Sequence, residues 1–120
     1  MNIEEIRDYC ITKIGVTESF PFDEVTLVFK VGGKIFALIN LDSDPLRINL
    51  KCEPEKAIHL REKFSSVIPG YHMNKKHWNT VILDGSFPID LLLTWINESY
   101  GLVFNSLPQK VKNELNVKKQ

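Results

Sequence analysis

At 120 residues the chain is long enough for one hydrophobic core and too short for two, so we expect a single domain over residues 1–120. A hydrophobic content of 43% and a charged content of 25% are typical of a soluble globular protein, and no apolar run approaches the ~20 residues of a membrane span. The net charge of zero argues against a strongly basic nucleic-acid binder.

The charges are distributed unevenly along this neutral chain. Residues 1–45 contain 8 acids and 4 bases, whereas residues 46–80 contain 7 bases and 3 acids. If the middle third presents one face, that face has a positive field that the total charge conceals. Scattering of the same charges over a solvated surface is the alternative.

Local patterns predict the secondary structure in chain order. Asn2 followed by Glu5 resembles a capping box, and Gly32-Gly33 between two β-rich runs is typical of a two-residue hairpin turn. Pro54 and Pro88 each suit the beginning of a helix. The predicted elements are a helix over 3–14, strands over 25–31, 34–40 and 47–52, a helix over 54–65, strands over 71–74 and 77–83, a helix from Pro88, and a short helix over 108–116.

This order predicts an α+β fold in which an antiparallel sheet of about five strands packs against a layer of N- and C-terminal helices. We expect residues from about 115 to 120 to fray. The acidic, amphipathic N-terminus is unlike a secretory signal, and Cys10 and Cys52 stand far apart without a CxxC motif. We therefore expect a cytoplasmic monomer with two reduced thiols.

Four segments resemble the MmcQ/YjbR-like family of small bacterial proteins. They read GVTESFPFD, LKCEPEKAIHLRE, PGYHMNKKHWNTV and WINESYGLVFNSLP, and the resemblance extends from the first helix to about Lys110. It implies a fold similar to that of frataxin and CyaY, an antiparallel sheet flanked by helices. The family's members are usually described as DNA-binding proteins on the basis of β-hairpin wings, so the resemblance also implies DNA as a partner.

The stretch from Pro69 to Val81 concentrates polar and aromatic side chains. Catalysis has little support, because Cys52 lies on an apolar strand face and no nucleophile stands in a GxSxG elbow. His72 and His77 alone would suit a metal or acid–base chemistry, but two lysines lie between them and no carboxylate is near. We therefore expect no enzyme activity, no cofactor and no metal.

Binding of a polyanion, DNA above all, uses more of these residues at once. Lys75 and Lys76 at a turn would hold phosphates, while His77 and Trp78 would stack on bases. The predicted contact residues are His72, Asn74, Lys75, Lys76, His77, Trp78 and Arg61.

A binding pocket is the alternative function. Phe20 and Phe22 flank Pro21 in a loop, where exposed rings would suggest a recognition surface for a protein partner. A pocket between this loop and the HMNKKHW segment would be concave, aromatic and partly cationic, which suits a small anionic ligand.

Overall fold

The computed structural model of the chain describes residues 2–70 and 73–119. Six strands and four helices make up the described part of the chain. In order they are α1 (Ile3–Ile11), β1 (Val16–Ser19), β2 (Thr26–Val31), β3 (Lys34–Asn40), β4 (Arg47–Lys51), α2 (Pro54–Lys63), β5 (Val67–Pro69), β6 (Trp78–Ile82), α3 (Ile89–Asn105) and α4 (Gln109–Lys119). All strand pairs are antiparallel, and the order across the sheet is β1-β2-β3-β4-β6-β5. The predicted α+β class is confirmed.

Two local predictions are confirmed by their geometry. Asn2 Oδ1 accepts a hydrogen bond from the Glu5 amide at 2.9 Å, and Glu5 Oε1 accepts one from the Asn2 amide at 3.3 Å, which completes the capping box. Gly32 and Gly33 join β2 to β3 with φ of 58° and 81°. Two successive positive φ angles are what a tight hairpin turn between twisted strands requires.

The described part of the sheet has six strands instead of about five, and two segments differ from the predicted strands. Residues 16–19, to which we assigned no strand, form β1, a four-residue edge strand paired with β2. The strand predicted over 71–74 is absent at its two described residues, and β5 lies earlier in the chain and ends at Pro69. Tyr71 and His72 lie outside the described residues, and Met73 and Asn74 belong to a turn.

Helix α4 continues to Lys119, past the point where we expected the chain to fray. Leu115 is buried in the main core and packs against Gly15, whose φ of 72° places it at a turn after α1. Burial of Leu115, together with the packing of Val111 on the main core, ties the last helix to the domain.

The four helices all pack on one side of the sheet. Each contributes its buried apolar side chains to the main core cluster, for example Ile6 from α1, Ala57 from α2, Ile96 from α3 and Leu115 from α4. A second, smaller cluster of Val28, Leu38 and Trp78 lies on the other side of the sheet, with Ile35 and Met73 against it. No residue of the four helices belongs to that second cluster among the residues described. We call the side opposite the helices the uncovered face.

Candidate functional site

The strand register identifies which residues belong to the uncovered face. Direct partners across neighbouring strands point to the same side of a sheet. One such row crosses all six strands in the order Ser19, Val28, Leu38, Asn49, Thr80 and Ile68. Since Val28 and Leu38 belong to the second cluster, the whole row lies on the uncovered face.

Three basic side chains lie on this face. Arg47, Asn49 and Lys51 alternate along β4 with Ile48 and Leu50, which are buried in the helix-side core. Lys30 of β2 is the register partner of Ile35, a residue packed against the second cluster. The strands thus present Lys30, Arg47 and Lys51 on the side away from the helices.

The strands contribute no acid to this face. Glu18 is the single acidic residue in the six strands of the described chain, and its register partner Phe29 is in the helix-side core. Arg7 of α1 forms an ion pair with Glu18, and its hydrogen bonds lower the pKa of that carboxyl. In the described part of the neutral chain, the strands therefore give the uncovered face basic side chains and no acid.

A turn over residues 73–77 borders the uncovered face. The Asn74 side-chain oxygen accepts the Lys76 amide at 2.9 Å, and the Asn74 carbonyl accepts the amides of His77 and Trp78. Lys75 and Lys76 are exposed on this turn, and His77 is half-buried. Of the predicted contact residues, the structure brings Asn74, Lys75 and Lys76 together at the surface.

Two other predicted contact residues, Trp78 and Arg61, have different positions from those we expected. Trp78 is only 8% exposed, packed with Val28 and Leu38, so the prediction that its ring stacks on bases is corrected to a core role. Arg61 is half-buried, and its guanidinium donates to Asn79 Oδ1 at 2.6 Å and to the Lys75 carbonyl. It positions the turn from inside the protein. His72 lies outside the described residues.

A groove of about 520 Å³ opens on the uncovered face between Phe22 and Met73. Its apolar lining is Phe22, Ile35, Leu38 and Met73, and its polar lining is Asp23, Thr26, Asn40 and Asn49. We call it the Phe22–Met73 groove. It lies where we expected a pocket between the FPF loop and the HMNKKHW segment. Its lining contains a carboxylate and no basic side chain, so the expectation of a partly cationic pocket is wrong for the residues described.

Hydrogen bonds orient the polar side chains of the groove. The Asp23 carboxylate accepts from the amides of Val25 and Thr26 and from the Thr26 hydroxyl, and these bonds lower its pKa. Asn40 Oδ1 accepts the Asp42 amide at 2.9 Å, and Asn49 Oδ1 accepts the Thr80 hydroxyl. With both oxygens occupied, the two asparagines offer their NH₂ groups as donors.

The described residues offer few side chains arranged for metal binding or for nucleophilic catalysis. No three His, Cys, Asp or Glu side chains of the described ranges come close enough together to hold a metal ion. Both cysteines are buried, and burial raises the pKa of the Cys10 thiol to about 12 and also raises that of Cys52. Thiols with raised pKa values are weak nucleophiles near neutral pH. No helix in the described part of the chain has the length and apolar character needed to span a bilayer.

The sequence contained a signal for the residues that we missed. In the predicted strand over residues 47–52, the apolar residues Ile48 and Leu50 alternate with polar ones. The polar residues of this strand, Arg47, Asn49 and Lys51, therefore share its other face, which is the more exposed one. Lys30 and Asn40 join them through strand pairing, which no local pattern reveals.

The chain is similar to a family model and to known proteins, and these matches agree with one another. The YjbR family model matches residues 11–102. The uncharacterised protein YjbR of Escherichia coli K12 is 36% identical over 115 residues, covering 96% of this chain and 98% of that protein. The uncharacterised protein YbdF of E. coli O157:H7 is 42% identical over 95 residues, covering 76% of this chain and 75% of that protein.

Two solved structures are similar in fold. The crystal structure of Deinococcus radiodurans protein DR2400, described as a DUF419 domain, has a TM-score of 0.91 and 41% identity, covering 96% of this chain and 88% of that one. A crystal structure of a Pseudomonas syringae protein has a TM-score of 0.74 and 30% identity, covering 86% of this chain and 99% of that one. The match to the family model and to relatives along nearly their whole length confirms the predicted family: the chain belongs to the YjbR family.

Proposed function

We propose that this protein binds a polyanion, DNA, through the uncovered face and catalyses no reaction, acting as a cytoplasmic monomer. The observation that carries the proposal is the charge separation: Lys30, Arg47 and Lys51 lie on a sheet face to which the strands contribute no acid. Lys75 and Lys76 lie on the bordering turn, whose Met73 packs on the same face. A neutral domain with its charges divided in this way still presents a positive field on one side.

The number of basic side chains sets the expected salt dependence. Each phosphate contact releases condensed counterions, so the logarithm of affinity falls with the logarithm of salt in proportion to the contacts made. Five contacts from these residues give a slope of about −4.5 on duplex DNA and about −3.5 on a single strand. Binding through this face is therefore moderate and strongly salt-dependent.

Fluorescence anisotropy with labelled duplex and single-stranded DNA at two salt concentrations tests the proposal. We expect the triple variant Lys30→Ala/Arg47→Ala/Lys51→Ala to lose at least about tenfold in affinity and to show a shallower salt slope. The matched control, Lys63→Ala/Lys110→Ala/Lys112→Ala, removes the same charge from the helices and should bind like wild type. Equal binding by wild type and the face variant, or no binding by wild type at near-physiological salt, contradicts the proposal.

The Phe22–Met73 groove favours a second candidate function, the binding of a small ligand. Its volume of about 520 Å³ is within the usual range of small-molecule sites, ~300–1,000 Å³. The exposed rings of Phe20 and Phe22 beside it also suit a protein partner. For a small ligand, a metabolite mixture should raise the melting temperature of the protein while DNA leaves it unchanged.

A further inference from the structure

We propose that the Phe22–Met73 groove holds one unpaired nucleobase, so that the strand bound on the uncovered face is single-stranded. This inference rests on the proposed function and specifies the form of nucleic acid. It assigns the base to the groove and the neighbouring phosphates to the basic side chains around it.

The proposed site has two zones of different charge: the groove itself and the basic side chains around it. Among the described residues, the groove lining contains the Asp23 carboxylate and no basic side chain, which disfavours a phosphate inside it. The basic residues lie around the groove: Arg47 is the register partner of Asn40, and Lys30 is that of Ile35. Lys51 lies two residues from Asn49 on the same face of β4. A ligand with a neutral flat group and flanking phosphates matches both zones.

The apolar lining fits a flat ring better than it fits a sugar or a phosphate. Ile35 and Leu38 belong to strand β3 of the sheet, and Met73 packs against the same second cluster. Phe22 is 65% exposed, which leaves a large aromatic surface in contact with water. Stacking a base on an aromatic ring removes apolar surface of both from water. In a duplex the faces of each base are already stacked on its neighbours, so only an unpaired base can enter.

The amides of the groove add a preference among bases. Asn40 and Asn49 use their oxygens within the protein and keep their NH₂ groups as donors. Donors favour bases with carbonyl oxygens at the exposed edge, as in thymine and uracil, over adenine, whose exocyclic amine is itself a donor. We therefore use oligothymidine as the probe.

The test compares three labelled probes of about a dozen nucleotides: oligothymidine, an abasic strand with the same phosphates, and a duplex. We expect wild type to bind oligothymidine about 5- to 150-fold more tightly than the abasic strand, the range of one base–aromatic stack. Phe22→Ala should bind oligothymidine only as well as the abasic strand. The matched control is Phe20→Ala, because Phe20 is 47% exposed in the same loop but does not line the groove, and it should bind like wild type. Thermal melts verify that all variants are folded.

Each result that differs from these expectations contradicts a specific proposal. If Phe22→Ala binds oligothymidine like wild type, or if the duplex binds as tightly as the single strand, the groove does not hold a base. The loss of binding by the Lys30/Arg47/Lys51 variant would then still support the proposed function. If no probe binds, the proposed function and this inference both fail. If thymidine 3′,5′-bisphosphate raises the melting temperature but oligothymidine does not bind, the ligand is a free nucleotide and the single-strand proposal is overturned.

Discussion

The Nε atom of Arg61 donates a hydrogen bond to Oδ1 of Asn79 at 2.6 Å. Asn79 is 2% exposed, and its Nδ2 atom donates in turn to the Ala57 carbonyl of α2 at 3.3 Å. The Nη2 atom of the same guanidinium reaches the Lys75 carbonyl, so one side chain joins α2, β6 and the turn over residues 73–77. The turn that presents Lys75 and Lys76 is therefore held from the helical side of the sheet.

We predict that Arg61→Lys destabilises the protein although it keeps the charge. Lysine has a single ammonium in place of the guanidinium fork and cannot make both bonds in this geometry. Loss of one charged hydrogen bond to a buried amide should lower the free energy of unfolding by about 1–3 kcal/mol, measured by urea denaturation. Lys63→Ala, two residues further along α2, should change it by less than about 0.5 kcal/mol. If Arg61→Lys keeps full stability but loses DNA affinity, Arg61 contacts phosphate as we first expected.

Local signals in the sequence predicted much of the fold but not the environment of the site residues. The Gly32-Gly33 hairpin and the Asn2 capping box depend on neighbours in sequence, and both are confirmed. The burial of Trp78 depends on strands far away in the chain, where Val28 and Leu38 pack against it. The groove likewise forms only because pairing of β3 with β4 places Leu38 beside Asn49. Contacts of this kind are set by topology, which a local pattern does not encode.

The two glycines of the hairpin should differ in their tolerance of a side chain. Both have positive φ, so alanine at either position is strained by roughly 1–2 kcal/mol. A Cβ on Gly33 would meet open space, whereas one on Gly32 would meet the Leu107 side chain at 2.6 Å. We expect Gly32→Ala to lower the urea midpoint clearly more than Gly33→Ala. Equal losses would show that Leu107 moves aside at no cost.

Asp84 should make part of the stability depend on pH. Hydrogen bonds from Ser86 and from the buried Ser66 hold the pKa of the Asp84 carboxyl below its ordinary value. A carboxyl whose pKa is lower in the folded state stabilises the protein above the unfolded-state pKa, about 3.9 for Asp, and this stabilisation is lost as the pH falls through the folded-state pKa. Urea denaturation should therefore show Asp84→Asn less stable than wild type at neutral pH, with the difference shrinking below about pH 4. A difference that stays constant with pH would mean that the charge of Asp84 has no part in it.

Ser99 of α3 provides the last test, because its hydroxyl connects the helix to two strands. Its Oγ atom donates to the Phe36 carbonyl at 2.6 Å and accepts the Lys51 amide at 2.8 Å, and the side chain is fully buried. The register of β2 and β3 shifts beside Phe36, where two consecutive residues of β3 lie in the helix-side core. A bulge of this kind leaves a backbone group without a strand partner, and the hydroxyl supplies one.

We expect Ser99→Ala to lower the free energy of unfolding by about 2–4 kcal/mol, since it leaves a buried carbonyl and a part-buried amide unpaired. Hydrogen exchange of the Lys51 amide should become faster as well. The control is Thr94→Ala on the same helix, whose exposed hydroxyl donates only to the Asp90 carbonyl and whose removal should cost less than about 0.5 kcal/mol. If Ser99→Ala matches this control and the Lys51 amide stays protected, the hydroxyl is not what holds β4 in register, and packing of α3 alone positions Lys51 on the uncovered face.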